Sequence, residues 1–240
     1  MLLKTQDESE ETAIEACEFW LAFAENPATC KEVIGPLLPK LLPVLVKCMR
    51  YSEADLCALR GDEEDSNVPD RVEDIKPRFH RARTQGLGGD ASALASMSSA
   101  LGGDDDDEGG EGEEDDASTE WNLRKCAAAS LDVLSGIFGD PFLDHLLPIL
   151  KECLFHEQWE MKESAILALG AVAEGCTNGM TPHLSELIPY LINSLQDQRA
   201  LVRSITCWTL SRYCHYVVQH PQGVCFQRLL KEVSENLHSV

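Results

Sequence analysis

An all-α fold built of stacked helix pairs is what this sequence predicts, and three observations predict it. Leucine-rich segments with an internal proline recur: residues 143–154 read LDHLLPILKECL and residues 184–195 read LSELIPYLINSL, with Pro148 and Pro189 lying 41 positions apart. Each is followed by a second apolar segment of helical period, EMKESAILALGAVAE at 160–174 and LVRSITCWTLSRY at 201–213, in which Ser164 and Ser204 are 40 apart. The chain is 44% hydrophobic but only 6% aromatic, so it has the aliphatic material for a sizeable helical core.

The unit is therefore a helix, a short turn and a second helix. A period of about 40 residues is that of HEAT or armadillo-type repeats, in which no pair buries its apolar stripe alone and each must stack on its neighbours. Taken in order, residues 11–25 (ETAIEACEFWLAFAE) form a second helix, and residues 34–51 (IGPLLPKLLPVLVKCMRY) a proline-bearing first helix. The apolar period returns only at residues 121–138, WNLRKCAAASLDVLSGIF, which are expected to be the partner of 34–51. Residues 225–237, CFQRLLKEVSENL, are expected to form a last first helix. Three complete pairs flanked by half repeats result, as expected of a piece of a longer solenoid. Pro43, Pro148 and Pro189 fall at corresponding places, where each removes one backbone hydrogen bond from its helix.

The chain thus reads as three regions: helices over 1–53, an insertion over 54–119, and repeats over 120–240. The insertion has loop composition. A basic island, KPRFHRAR, occupies 76–83, and 86–103 are rich in Gly, Ser and Ala. An almost wholly acidic run then contains Asp104, Asp105, Asp106, Asp107, Glu108, Glu111, Glu113, Glu114, Asp115 and Asp116. Such a stretch buries too little apolar surface to offset its ordering entropy and is expected to be disordered. It reads either as a solvating spacer or as a tethered polyanion competing for a cationic peptide at high effective concentration.

The net charge of −21 disfavours nucleic acid and anionic membranes as partners and favours basic ones. Ten cysteines without a C-x-x-C pair, mostly within apolar helical runs, suggest free thiols in a reducing compartment. No run is long and apolar enough to span a bilayer. The histidines make no H-E-x-x-H pattern, Cys and His lack zinc-ligand spacing, and no phosphate-cradling glycine motif occurs. We expect no catalytic residues, no metal and no cofactor.

The strings ALVRSITCWTLSRY at 200–213, WNLRKCAAASLDVL at 121–134, KESAILALGAVAEG at 162–175 and PRFHRART at 77–84 resemble the transportin (karyopherin-beta2) family of nuclear import receptors, and the resemblance covers nearly the whole chain. It implies the middle HEAT repeats of a superhelical receptor that shuttles between cytoplasm and nucleus. Its implied partners are cargo proteins with basic proline-tyrosine localisation signals, the GTPase Ran and, for the full-length receptor, nucleoporins. The insertion would be the family's acidic loop, coupling Ran-GTP binding to cargo release, although its Gly-, Ser- and Ala-rich stretch at 86–103 departs from the family's pattern. The positions matching the family's cargo site are Ala128, Ala129 and Asp132 on one second helix, Leu167 on the next, and Ile205, Trp208 and Arg212 on the third. The last three are spaced i, i+3, i+7 and so share one helix face. Ala128 and Ala129 leave a recess, Leu167, Ile205 and Trp208 wall it, and Asp132 and Arg212 can bond a tyrosine hydroxyl from opposite sides. A rigid HEAT scaffold and an acidic-loop chaperone for basic proteins are the competing readings.

Overall fold

The computed structural model describes residues 1–53, 55–56 and 121–219, and among these every regular element is helical. The insertion's basic island and acidic run, and the helix expected at 225–237, lie outside the described residues. The chain divides into two compact units, Met1–Val68 with Leu123–Val240, and Pro69–Asn122; of the second only Trp121 and Asn122 are described. Every described element belongs to the first unit.

Helix α1 (Glu10–Ala24) is opened by Ser9, whose side chain accepts from the Thr12 amide, with Glu10 and Glu11 in the first turn where the helix dipole favours acids. Helix α2 (Pro27–Ile34) is opened in the same way by Asn26, which accepts from the Thr29 amide, and Pro27 sits in the first turn, where its missing N–H costs nothing. A 3-10 turn at Gly35–Leu37 leads into α3 (Leu38–Cys48). Segment 34–51, expected as one helix, is thus split. The Gly-Pro pair at 35–36 and Pro39 deny the backbone successive donors just where a continuous helix needs them. Beyond the insertion come α4 (Leu123–Phe138), α5 (Leu143–Leu154), α6 (Trp159–Ala171), α7 (Thr177–Ser194), α8 (Ala200–Arg212) and α9 (Cys214–Gln219). Gly139, with φ of 65°, takes the chain out of α4 through backbone space that a side chain would resist.

Pro43, Pro148 and Pro189 all lie inside helices, as does Pro182, because α7 starts earlier than its leucine pattern suggests. Packing sorts the helices into two layers. α1, α4, α6 and α8 lie side by side in sequence, each against the next, while α3 packs on α4, α5 and α6, α5 on α6, and α7 on α8. The first-helix layer presents a leucine stripe: Leu38, Leu41, Leu42 and Leu45 in α3, and Leu143, Leu146 and Leu150 in α5. The central second helix, α6, has neighbours on three sides. Every residue from 163 to 173 is buried, so its small and aliphatic side chains run all round the axis rather than along one stripe.

Successive repeats are joined by forward-reaching cations. Arg124 at the start of α4 forms a bidentate pair with Glu163 of α6, at 2.8 and 2.6 Å, donates to the Met49 carbonyl, and lies over the Tyr51 ring at 4.0 Å. Lys162 at the corresponding place in α6 reaches Asp197 at 2.7 Å. Complete burial raises the Glu163 carboxyl above its ordinary range, against the pull of Arg124. The cysteines at 17, 30, 48, 126, 153 and 176 are buried free thiols, and those at 207 and 214 are exposed.

Candidate functional site

The residues singled out in sequence fall on α4, α6 and α8, three adjacent members of the second-helix layer. Ala127, Ala165 and Thr206 are fully buried at equivalent places in these helices. Two positions on from each stand Ala129, Leu167 and Trp208, so the three share one register and grade from small to large across the layer. Ala128 and Ala129 are 2% exposed and Leu167 7%, whereas Ile205 and Trp208 are half-buried. The alanines are therefore a floor, and the open apolar surface belongs mainly to α8.

The seat of Trp208 depends on a residue that periodicity does not flag. A Cβ added to Gly170 of α6 would stand 2.1 Å from Cζ3 and 2.8 Å from Cε3 of the indole. The ring therefore lies directly on the glycine backbone. Two hydroxyls tie α8 to α6 on the buried side. Thr209 Oγ1 donates to the Ile166 carbonyl at 2.9 Å, and the Tyr213 hydroxyl donates to the Leu169 carbonyl at 2.7 Å. The Leu169 carbonyl is one of the last-turn carbonyls of α6, and the Ala173 amide four residues on bonds Gly170 instead, so the Tyr213 hydroxyl supplies a donor there. Trp208 and Arg212, one turn apart, are thereby held on the flank that these anchors leave free.

Arg212 is only 11% exposed at its side chain. Its Nη1 pairs with Glu174 Oε1 at 3.0 Å, and its Cζ stands 5.9 Å from the Trp208 ring centroid. Asp132, 6% exposed on α4, is drawn into the same electrostatic neighbourhood. Burial lifts its carboxyl to about 6, Arg212 pulls it down and Glu174 pushes it up. Two buried polar atoms in this group lack a hydrogen-bond partner, Asp132 Oδ2 and Arg212 Nε. An unsatisfied buried acceptor or donor costs about 1–3 kcal/mol, more when charged, so such a pair is unusual in a helical core. One is an acceptor and the other a donor. A group that both donates and accepts, such as a hydroxyl or a water molecule, has the chemistry to answer each.

Arg212 thus lies beside the half-open indole of Trp208, and Asp132, on α4, feels its charge. Glu174 and Gly170, both on the α6 side, were not legible as site residues. Glu174 ends the segment 160–174 as an ordinary helix-terminal acid, and Gly170 within it reads as an ordinary small residue. Among the described residues no group of His, Cys, Asp and Glu is placed to hold a metal, and no helix is long and apolar enough to cross a membrane.

Stacked helix pairs with this register define a HEAT-repeat solenoid segment, and a HEAT-like repeat model matches residues 159–213, the stretch from α6 through α8. Solved karyopherins share the fold. Kap121p bound to the extreme C-terminus of the phosphatase Cdc14p superposes with a TM-score of 0.55 at 19% identity, over 88% of this chain and 16% of that one. Kap95p with RanGDP superposes with a TM-score of 0.53 at 15% identity, over 88% and 20%. The chain is similar to transportins over nearly all of its own length: it is 54% identical to mouse Transportin-1 over 99% of this chain, and 48% identical to fission-yeast Importin subunit beta-2 over 89%. It spans 26% and 24% of the lengths of those two relatives, about a quarter.

Proposed function

We propose that this chain is a cargo-binding segment of a nuclear import receptor, taking the proline-tyrosine end of a basic localisation signal along α4, α6 and α8. The observation that carries this reading is the pair of unpartnered polar atoms, Asp132 Oδ2 and Arg212 Nε, beside the half-buried Trp208. In the proposed complex the tyrosine hydroxyl donates to Asp132 and accepts from Arg212. Its ring and the preceding proline lie against Trp208, Ile205 and Leu167 over the floor of Ala128 and Ala129. The bound peptide would make good both unsatisfied groups at once, so specificity for a hydroxylated ring follows from the cost of leaving them bare.

The remaining parts of the proposal belong to the receptor as a whole. The acidic residues from Asp104 to Asp116 compete for the basic part of the signal. They couple binding of the GTPase Ran to cargo release, while nucleoporin contacts carry the receptor between cytoplasm and nucleus. The net charge of −21 suits a basic signal on grounds of long-range attraction. No step in this cycle calls for chemistry at the chain, so the proposal is of a binding protein and not an enzyme.

Titration of a basic peptide ending in Pro-Tyr against the wild-type chain and Trp208→Ala tests the reading. The variant should bind at least tenfold more weakly, about 1.4 kcal/mol. Equal affinities, with helical circular dichroism retained, would refute the site.

A further inference from the structure

Within the proposed site the residues that touch the peptide are not the whole apparatus, and the ion pair at its edge points to another. We infer that Glu174 is a positioning residue that sets the preference for tyrosine over phenylalanine, by holding the Arg212 guanidinium away from Asp132. The inference rests on the proposed peptide site and deepens it.

Three charged groups act on one another there from three successive second-helix segments: Arg212 on α8 pairs with Glu174 just past the end of α6, and both bear on the Asp132 carboxyl of α4. Left to themselves, a buried carboxylate and a buried guanidinium form a bidentate pair and satisfy each other. Arg124 and Glu163 do just that one repeat earlier, at 2.8 and 2.6 Å. Asp132 and Arg212 do not. The guanidinium is taken by Glu174 through Nη1, at 3.0 Å, and Asp132 Oδ2 and Arg212 Nε remain open. The Glu174 side chain is 57% exposed, so it is not buried for packing and its contact is free to exchange. What it contributes is competition: while its carboxylate holds Arg212 Nη1, the acceptor on one helix and the donor on another stay available to a third party.

Without that competitor Arg212 is expected to swing onto Asp132, close the fork and use up both atoms. The apolar seat on Trp208 would survive, since Gly170, Thr209 and Tyr213 hold α8 independently. Peptide affinity would then persist while sensitivity to the hydroxyl is lost. A merely structural role for Glu174 would weaken tyrosine and phenylalanine peptides alike.

The test measures affinities of two basic peptides, one ending in Pro-Tyr and one in Pro-Phe, for wild type, Glu174→Ala, Glu174→Gln, Arg212→Ala and the Glu174→Ala/Arg212→Ala double variant. Wild type should prefer tyrosine by about tenfold or more, as a hydrogen bond to a charged group warrants. Glu174→Ala should cut the preference to about threefold or less through the tyrosine peptide alone. Glu174→Gln, which still offers Arg212 an acceptor, should restore part of it. The double variant should lose little beyond Arg212→Ala, because both changes act on one guanidinium. A preference that survives Glu174→Ala, or an equal loss for both peptides, overturns the inference and leaves the peptide site standing. A wild type that binds neither peptide, or binds both as well after Trp208→Ala, overturns the site itself and the inference with it.

Discussion

Asp132 ties the site to pH in two opposing ways. Its carboxyl titrates at about 6 in the folded chain, above the ordinary 3.8, because burial outweighs the attraction of Arg212. The folded state therefore holds the proton more tightly than the unfolded state, and protonation of Asp132 stabilises the fold as pH falls through about 6. Between about pH 7 and about pH 5 this one group should add roughly 1 kcal/mol. Peptide binding should move the other way: the ionised carboxylate is the stronger acceptor for the tyrosine hydroxyl, so affinity for a Pro-Tyr peptide should fall over the same range. Asp132→Asn should abolish this group's share of the pH dependence in both denaturation and titration series. The residue types at the site were legible from the family resemblance. Their unequal exposure was not, because Ala128, Ala129 and Leu167 owe their burial to neighbouring helices rather than to their own. Glu174 escaped notice for a similar reason. Its partner Arg212 is far along the chain, and only the stacking of α6 on α8 brings them together.

Among elements, the second-helix layer is fastened by ion pairs as well as by packing. Arg124 and Glu163 are a buried pair, with Glu163 fully covered and Arg124 11% exposed. Removing one partner leaves a buried charge with nothing to answer it, which costs about 3–5 kcal/mol, whereas replacing both with apolar residues of similar size is often neutral. Arg124→Met should therefore lower stability to chemical denaturation by several kcal/mol, and Arg124→Met/Glu163→Met should recover most of the loss. A small effect of the single variant would show that the α4–α6 join is held by aliphatic packing alone. The helices themselves were readable where period and length agreed, as in α5, whose bounds match the leucine pattern from 143 to 154. They were misread where proline and glycine break a long apolar run. Residues 34–51 look continuous in hydropathy, yet the backbone donors lost at Pro36 and Pro39 separate α2 from α3. The short helix α2 itself went unforeseen, since its eight residues bury only Cys30 and Ile34 and show little period.

For the molecule as a whole, the charge of −21 and the acidic run from Asp104 to Asp116 separate the competing readings. A chaperone for basic proteins would use that run as its binding surface. An import receptor would use it as a competitor of the signal. Deleting residues 104–116 should leave affinity for a basic Pro-Tyr peptide unchanged or higher, measured by titration at one fixed salt concentration, since charge contributions are screened by salt. A collapse of affinity would favour the chaperone. The repeat order was legible because each helix pair repeats the same local problem, an apolar stripe that only a neighbour can cover. The site's open acceptor and donor were not, because they arise from how three repeats meet. The claim on which the rest depends is that α4, α6 and α8 together receive one tyrosine. Photo-crosslinking tests it most directly, with a peptide whose terminal tyrosine is replaced by a diazirine-bearing phenylalanine and the adducts mapped by mass spectrometry. The account predicts adducts on Trp208, Leu167 and their neighbours in α4, α6 and α8. Adducts confined to the first helices α3, α5 and α7 would contradict it.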